Sequence, residues 1–126
     1  MSVLVVDGAN VVGSRPDGWW RDRPAAARGL WERLSAADLP YDEVVLVLEG
    51  QARSSVPAGT DGPLQTVHAT RDGDSSVVAA VHAALDTDAP VVVVTADRAL
   101  AQRVEAAGAR VMSPSWLLDV LESGDS

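Results

Sequence analysis

The sequence contains no cysteine. That excludes a disulfide framework, thiolate metal sites and a cysteine nucleophile. Lysine is also absent, and all ten basic residues are arginine, a bias that fits a GC-rich genome. Histidine is limited to His68 and His82. Neither has a partner at ligand spacing, so a histidine-built metal centre is not expected. Any metal would be held by oxygen, which favours magnesium or manganese. No apolar run approaches the roughly 18 residues that a membrane helix needs. There is no secretory-leader pattern, and the first apolar run starts too early to follow a cationic leader. A soluble cytoplasmic protein with no membrane partner is expected.

What is present suits one domain. The chain has 126 residues, of which 47% are hydrophobic, enough to build a core. The expected domain covers residues 1–122, with 123–126 as a frayed tail. The net charge is −8. An acidic chain is a poor general binder of nucleic acid, because phosphate contacts dominate that affinity. RNA or DNA would have to be met locally, by arginines gathered on one surface.

Val3-Leu4-Val5-Val6 reads as a strand buried on both faces, the pattern of a central parallel strand. It stops at Asp7, and Gly8 permits a sharp turn and close approach of a ligand. Residues 44–48 form a second apolar run, ending in Glu49-Gly50. Residues 64–69 alternate and predict a third strand. Residues 91–94 predict a fourth, followed by Thr95-Ala96-Asp97-Arg98, and 110–112 a short fifth. Between them, apolar residues recur at helical spacing over 24–37, along Val77, Val78, Val81 and Leu85, along Leu100, Val104 and Ala107, and along Trp116, Leu117, Val120 and Leu121. Residues 13–23 and 51–63 carry Gly and Pro without periodicity and read as loops.

Strands alternating with helices imply a single-domain, Rossmann-like α/β fold, a parallel sheet of about five strands with helices on both faces. All strand ends then share one edge, where open α/β sheets bind ligands. Asp7, Glu49, Asp72 or Asp74, and Asp97 fall at or just after four of those ends. Like charges crowded there are costly unless a cation or protons compensate. Asp74 and Asp97 also stand where helix N-caps stand, and acids there suit the helix dipole.

Val5-Val6-Asp7-Gly8-Ala9-Asn10 and Thr95-Ala96-Asp97-Arg98, in this order and on these strands, resemble the NYN domains of the PIN-like nuclease superfamily. The resemblance spans residues 3 to about 118. It implies a metal-dependent ribonuclease in which clustered acids hold magnesium or manganese. By position it makes Asp7 the first-strand acid, Asn10 the polar residue after it, Asp74 the acid opening the helix after strand three, Asp97 the fourth-strand acid and Arg98 its basic neighbour. The chain departs from the pattern at Glu49, where an Asp would be expected, and at Ser75, where a second acid often follows.

Phosphodiester hydrolysis needs an activated water and neutralised phosphate charge, and a carboxylate-held divalent ion supplies both. On this reading Asp7 and Asp97 are direct ligands and Asp74 binds directly or through water. Glu49 orients water or acts as a base. Asn10 positions Asp7 or meets substrate, and Arg98 pairs with Asp97 or contacts phosphate. RNA, either single-stranded or a structured RNA such as tRNA or rRNA, would approach over residues 13–23. There Trp19 and Trp20 can stack on bases, and Arg15, Arg21 and Arg23 can meet phosphates. The alternative is that one or both tryptophans fold back over the first helix. Trp31 and Trp116 are expected in the core or at an interface, and the terminal helix leaves a homodimer open. A non-catalytic RNA- or protein-binding module with a degenerate pocket is the rival reading. Other phosphate chemistries lack their marks: Ala9 breaks an Asp-x-Asp motif, a receiver domain needs a lysine, and there is no Gly-x-Gly-x-x-Gly.

Overall fold

A computed structural model describes residues 2–123. Its elements are β1 (Val3–Asp7), α1 (Gly8–Val12), α2 (Arg23–Ala36), β2 (Glu43–Leu48), β3 (Gly59–Asp61), β4 (Leu64–His68), α3 (Gly73–Leu85), β5 (Val91–Val94), α4 (Arg98–Ala107), β6 (Arg110–Met112) and α5 (Pro114–Ser123). Two 3₁₀ turns, Trp19–Arg21 and Gly50–Ser54, interrupt the stretches expected to be loops. The sheet has six strands in the order β3-β4-β2-β1-β5-β6. All neighbours pair in parallel except β3 with β4.

The extra strand corrects the expectation of about five. Gly59, Thr60 and Asp61 are all exposed, so no hydrophobic alternation betrays them. Asp61-Gly62 is nonetheless a hairpin signal, and Gly62 takes the positive φ of 61° that the turn requires. The short helix α1 was likewise hidden within residues expected to be non-helical. Helix α5 continues through Ser123, and the rest of the expected tail, 124–126, lies outside the described residues.

Alternate residues of the strands feed two core layers. Leu4, Val6, Leu46 and Leu48 meet Leu30, Leu34 and Leu117 from α2 and α5. Val3, Val5, Val45, Val47 and Val93 meet Val77, Val81, Leu100 and Val104 from α3 and α4. Burying each such side chain stabilises the fold by about 1.5–3 kcal/mol. Trp31 and Trp116 pack, partly buried, against the first layer. This arrangement places β1 at the centre of the sheet, with Asp7 at its C-terminal edge. Among the described residues no helix is long and apolar enough to cross a membrane.

Candidate functional site

Asp7 is 2% exposed at the end of β1. The chain can turn there because Gly8 has no side chain: a Cβ on it would lie 2.5 Å from the Val47 carbonyl oxygen. Asp7 caps α1, with Oδ1 accepting from the Asn10 amide at 3.4 Å. Its Oδ2 accepts from Asn10 Nδ2 and from Thr95 Oγ1, both at 2.9 Å. Asn10 Oδ1 in turn accepts from the Ala96 backbone at 3.3 Å. Thr95 Oγ1 accepts from the Asp97 backbone at 3.1 Å. The ends of β1 and β5 are thus tied by one hydrogen-bonded network.

Glu49, leaving β2, reaches across to α3, where its Oε2 accepts from Gly73 N at 3.0 Å. A Cβ on Gly73 would stand 3.0 Å from Glu49 Oε1 and 3.9 Å from Asp7 Oδ1. The two carboxylates therefore flank the same small space, which glycine leaves open. Asp72, not Asp74, caps α3, accepting from Ser75 N at 3.1 Å. Asp97 caps α4, accepting from Leu100 N at 3.1 Å. Asp74 projects from the first turn of α3, half-buried.

These acids act on one another. Burial pushes the Asp7 carboxyl above its ordinary range; hydrogen bonds from Thr95 and Asn10 oppose the rise, and Asp97 adds to it. Asp74 is also raised, by desolvation first and then by the negative charges of Asp97, Asp7 and Asp72, with Arg103 offsetting part. The salt bridges of the described residues, Arg15 to Asp119 and Glu122 and Arg28 to Glu32, involve none of Asp7, Glu49, Asp74 or Asp97. Acids perturbed by desolvation and by one another are candidates for a functional site.

The donor set fits a particular kind of cation. Among the described residues, no three His, Asp or Glu side chains stand close enough to hold one metal between them. Asp7, Asp74 and Asp97 share an electrostatic field but form no preformed cage. Magnesium, however, is usually held by one or two carboxylates, with waters and substrate phosphate completing its shell. The space between Asp7 and Glu49 over Gly73 suits that mode.

The expected binding residues divide. Arg98 is exposed at the start of α4. Arg15 faces α5, where it pairs with Glu122 and with Asp119 at 3.5 Å, so it has a structural partner. Trp19 and Trp20 meet edge-to-face, their centroids 6.0 Å apart. Arg23 lies over Trp19 at 5.1 Å and Arg21 over Trp20 at 5.9 Å. Trp19 is partly covered near the end of α1, whereas Trp20 is 50% exposed.

Sequence reasoning missed a cleft of about 330 Å³ between the Trp19 turn and the Gly50–Ser54 turn, beside Glu49. Gln51 and Ala52 line one side of it, within the stretch read as a featureless loop; only Glu49-Gly50 hinted at a site there. His68 serves this segment structurally, its Nε2 donating to the Val56 carbonyl at 2.7 Å.

No protein-family model matches the chain, and no curated protein matches it. Among solved structures it is similar to Rae1 (YacP) from Bacillus subtilis, with a TM-score of 0.79 at 18% identity, over 98% of this chain and 75% of that one. A W164L mutant of the same protein gives a TM-score of 0.76 at 19% identity, over 98% and 76%. At this identity the likeness speaks for architecture alone: the chain shares the α/β fold of those structures, a mostly parallel six-stranded sheet flanked by helices.

Proposed function

We propose that the C-terminal edge of the sheet is the active site of a metal-dependent ribonuclease working on single-stranded or structured RNA in the cytoplasm. The observation that carries this reading is Asp7: a buried carboxylate, raised by its burial and by Asp97, opening onto the same space as Glu49. Asp7 and Glu49 would hold one Mg²⁺ or Mn²⁺, with Asp97 and Asp74 reaching it through water. A bound ion supplies charge neutralisation at the phosphate and acidifies water.

The chain's own groups divide the remaining work. Asn10 donates to Asp7 and accepts from Ala96, so both ends of its amide are committed and it positions Asp7. Thr95 does the same from β5. Asp74, half-buried with its carboxyl raised by desolvation and by Asp97 and Asp7, is placed to exchange a proton with a leaving oxygen. Arg98, Arg21 and Arg23 offer charge to the RNA backbone. RNA is favoured by the resemblance to NYN domains and by the Trp19–Trp20 pair, which offers stacking surface to unpaired bases.

The test is cleavage of labelled single-stranded RNA with and without manganese, for wild type and Asp7→Asn. Metal-dependent cleavage that falls by roughly a hundredfold or more in Asp7→Asn is expected. A folded wild type that binds RNA without cleaving it in either metal favours a binding module instead. The absence of a three-carboxylate cage among the described residues and the neutral Ser75 support that second reading.

A further inference from the structure

This chemistry draws on Trp19, Arg23 and Glu49 from the lining of the cleft beside Glu49, but assigns the cleft itself no occupant. Its volume of about 330 Å³ lies at the low end of ligand pockets, which begin near roughly 300 Å³. It can take one nucleotide-sized group and no helix of RNA. Val12, Ala27 and Leu48 give it an apolar floor. One wall is Trp19 with the Arg23 guanidinium over its ring. Gln51, an exposed residue whose amide can both donate and accept, also belongs to the lining. An unstacked base needs this combination: a π or guanidinium face, dry surroundings and a polar group for its edge.

The wall is also pre-set. A Cβ on Gly13 would lie 3.5 Å from the Trp19 ring, and Trp20 meets it edge-on at 89°. An indole already held in place loses little freedom when a ligand arrives. Trp20 lies outside the lining of this cleft.

We infer that the cleft holds a single unstacked nucleobase, pressed against the Trp19–Arg23 pair, from the nucleotide next to the phosphodiester lying over Asp7 and Glu49. This rests on the reading of the edge as an RNA site and adds a one-base register to it. A base in the cleft fixes which phosphate reaches the carboxylates, so Trp19 and Gln51 set where the strand is placed.

The experiment is NMR of the full chain in EDTA, titrated with a single-stranded RNA trinucleotide and with the same trinucleotide made abasic at each position in turn. The Trp19 indole N–H, assigned through Trp19→Phe, and the Gln51 side-chain amide are expected to shift with the intact trinucleotide. They are expected to stay still when one particular position is abasic. Trp19→Leu keeps apolar bulk without the stacking face and is expected to bind roughly tenfold more weakly. If signals around Arg98 and Asp97 move while Trp19 and Gln51 do not, or if Trp19→Leu binds as wild type, the base pocket is wrong and the RNA site stands. If no signal moves with any RNA, both readings fall together.

Discussion

Where the parallel strands begin, polar groups close on one another; where they end, carboxylates gather without a salt bridge among the described residues. At the beginning, Val3 N donates to the Pro90 carbonyl at 2.9 Å and Val44 N to the Pro63 carbonyl at 2.8 Å. Asp42 there accepts from the Ser2 backbone at 2.7 Å. At the opposite end, Asp7 is buried as an acid, and Asp74 and Asp97 add repulsion. The first edge spends its polar groups on holding the sheet. The second retains electrostatic tension that a cation or a proton would relieve, the pattern of a site kept at some cost to stability.

The sharpest way to break this contrast is Thr95→Val. It removes the donor to Asp7 and the acceptor for Asp97 N inside a site where Thr95 is 3% exposed. A loss of about 1–3 kcal/mol is expected in urea unfolding, together with a cleavage rate at least roughly tenfold lower. Next comes Gly73→Ala. Its Cβ meets Glu49 Oε1 at 3.0 Å, so the carboxylate must give by a few tenths of an ångström within the shared space. RNA cleavage is expected to fall by up to roughly tenfold with the unfolding midpoint nearly unchanged, because alanine suits a helix better than glycine.

Asp7→Asn also carries a pH signature. A carboxyl raised in the folded state binds protons more tightly there than in the unfolded chain. Stability is therefore lost as pH rises from the ordinary carboxylate range through the raised value. The melting temperature of Asp7→Asn relative to wild type is expected to shift in the mutant's favour as pH rises above the ordinary carboxylate range of about 4. A flat difference would place the burial cost of Asp7 elsewhere. The smallest effect belongs to the strand-start edge. Asp42→Ala is expected to cost about 1 kcal/mol or less and to leave RNA cleavage unchanged.

How far the sequence reveals this molecule depends on how local each signal is. The buried strands announce themselves because both faces are apolar, and the acids at their ends follow from the parallel arrangement. Gly59–Asp61 is exposed throughout, so β3 leaves only its turn residues as a trace. Arg15 reads as a phosphate contact in a loop rich in arginine and tryptophan. Its partners in α5 are separated from it by most of the chain, and no local pattern encodes them. The approach of Glu49 to Gly73 is of the same kind: glycine before a helix is ordinary, and only the packing of α3 against β1 and β2 makes it a window onto two carboxylates. The cleft is harder still, since its lining gathers residues of α1, α2 and β2 with two turns that lack periodicity.

The direction of the hydrogen bonds at Asp7 has one more consequence. Oδ2 takes donors from both Asn10 and Thr95, while Oδ1 is the oxygen nearest the opening above Gly73. The carboxylate is thus presented edge-first, as a one-oxygen donor. Whatever it serves, ion, water or proton, must approach from the Glu49 side. The site is handed, and a scissile phosphate lying over it would meet the same oxygen on every turnover.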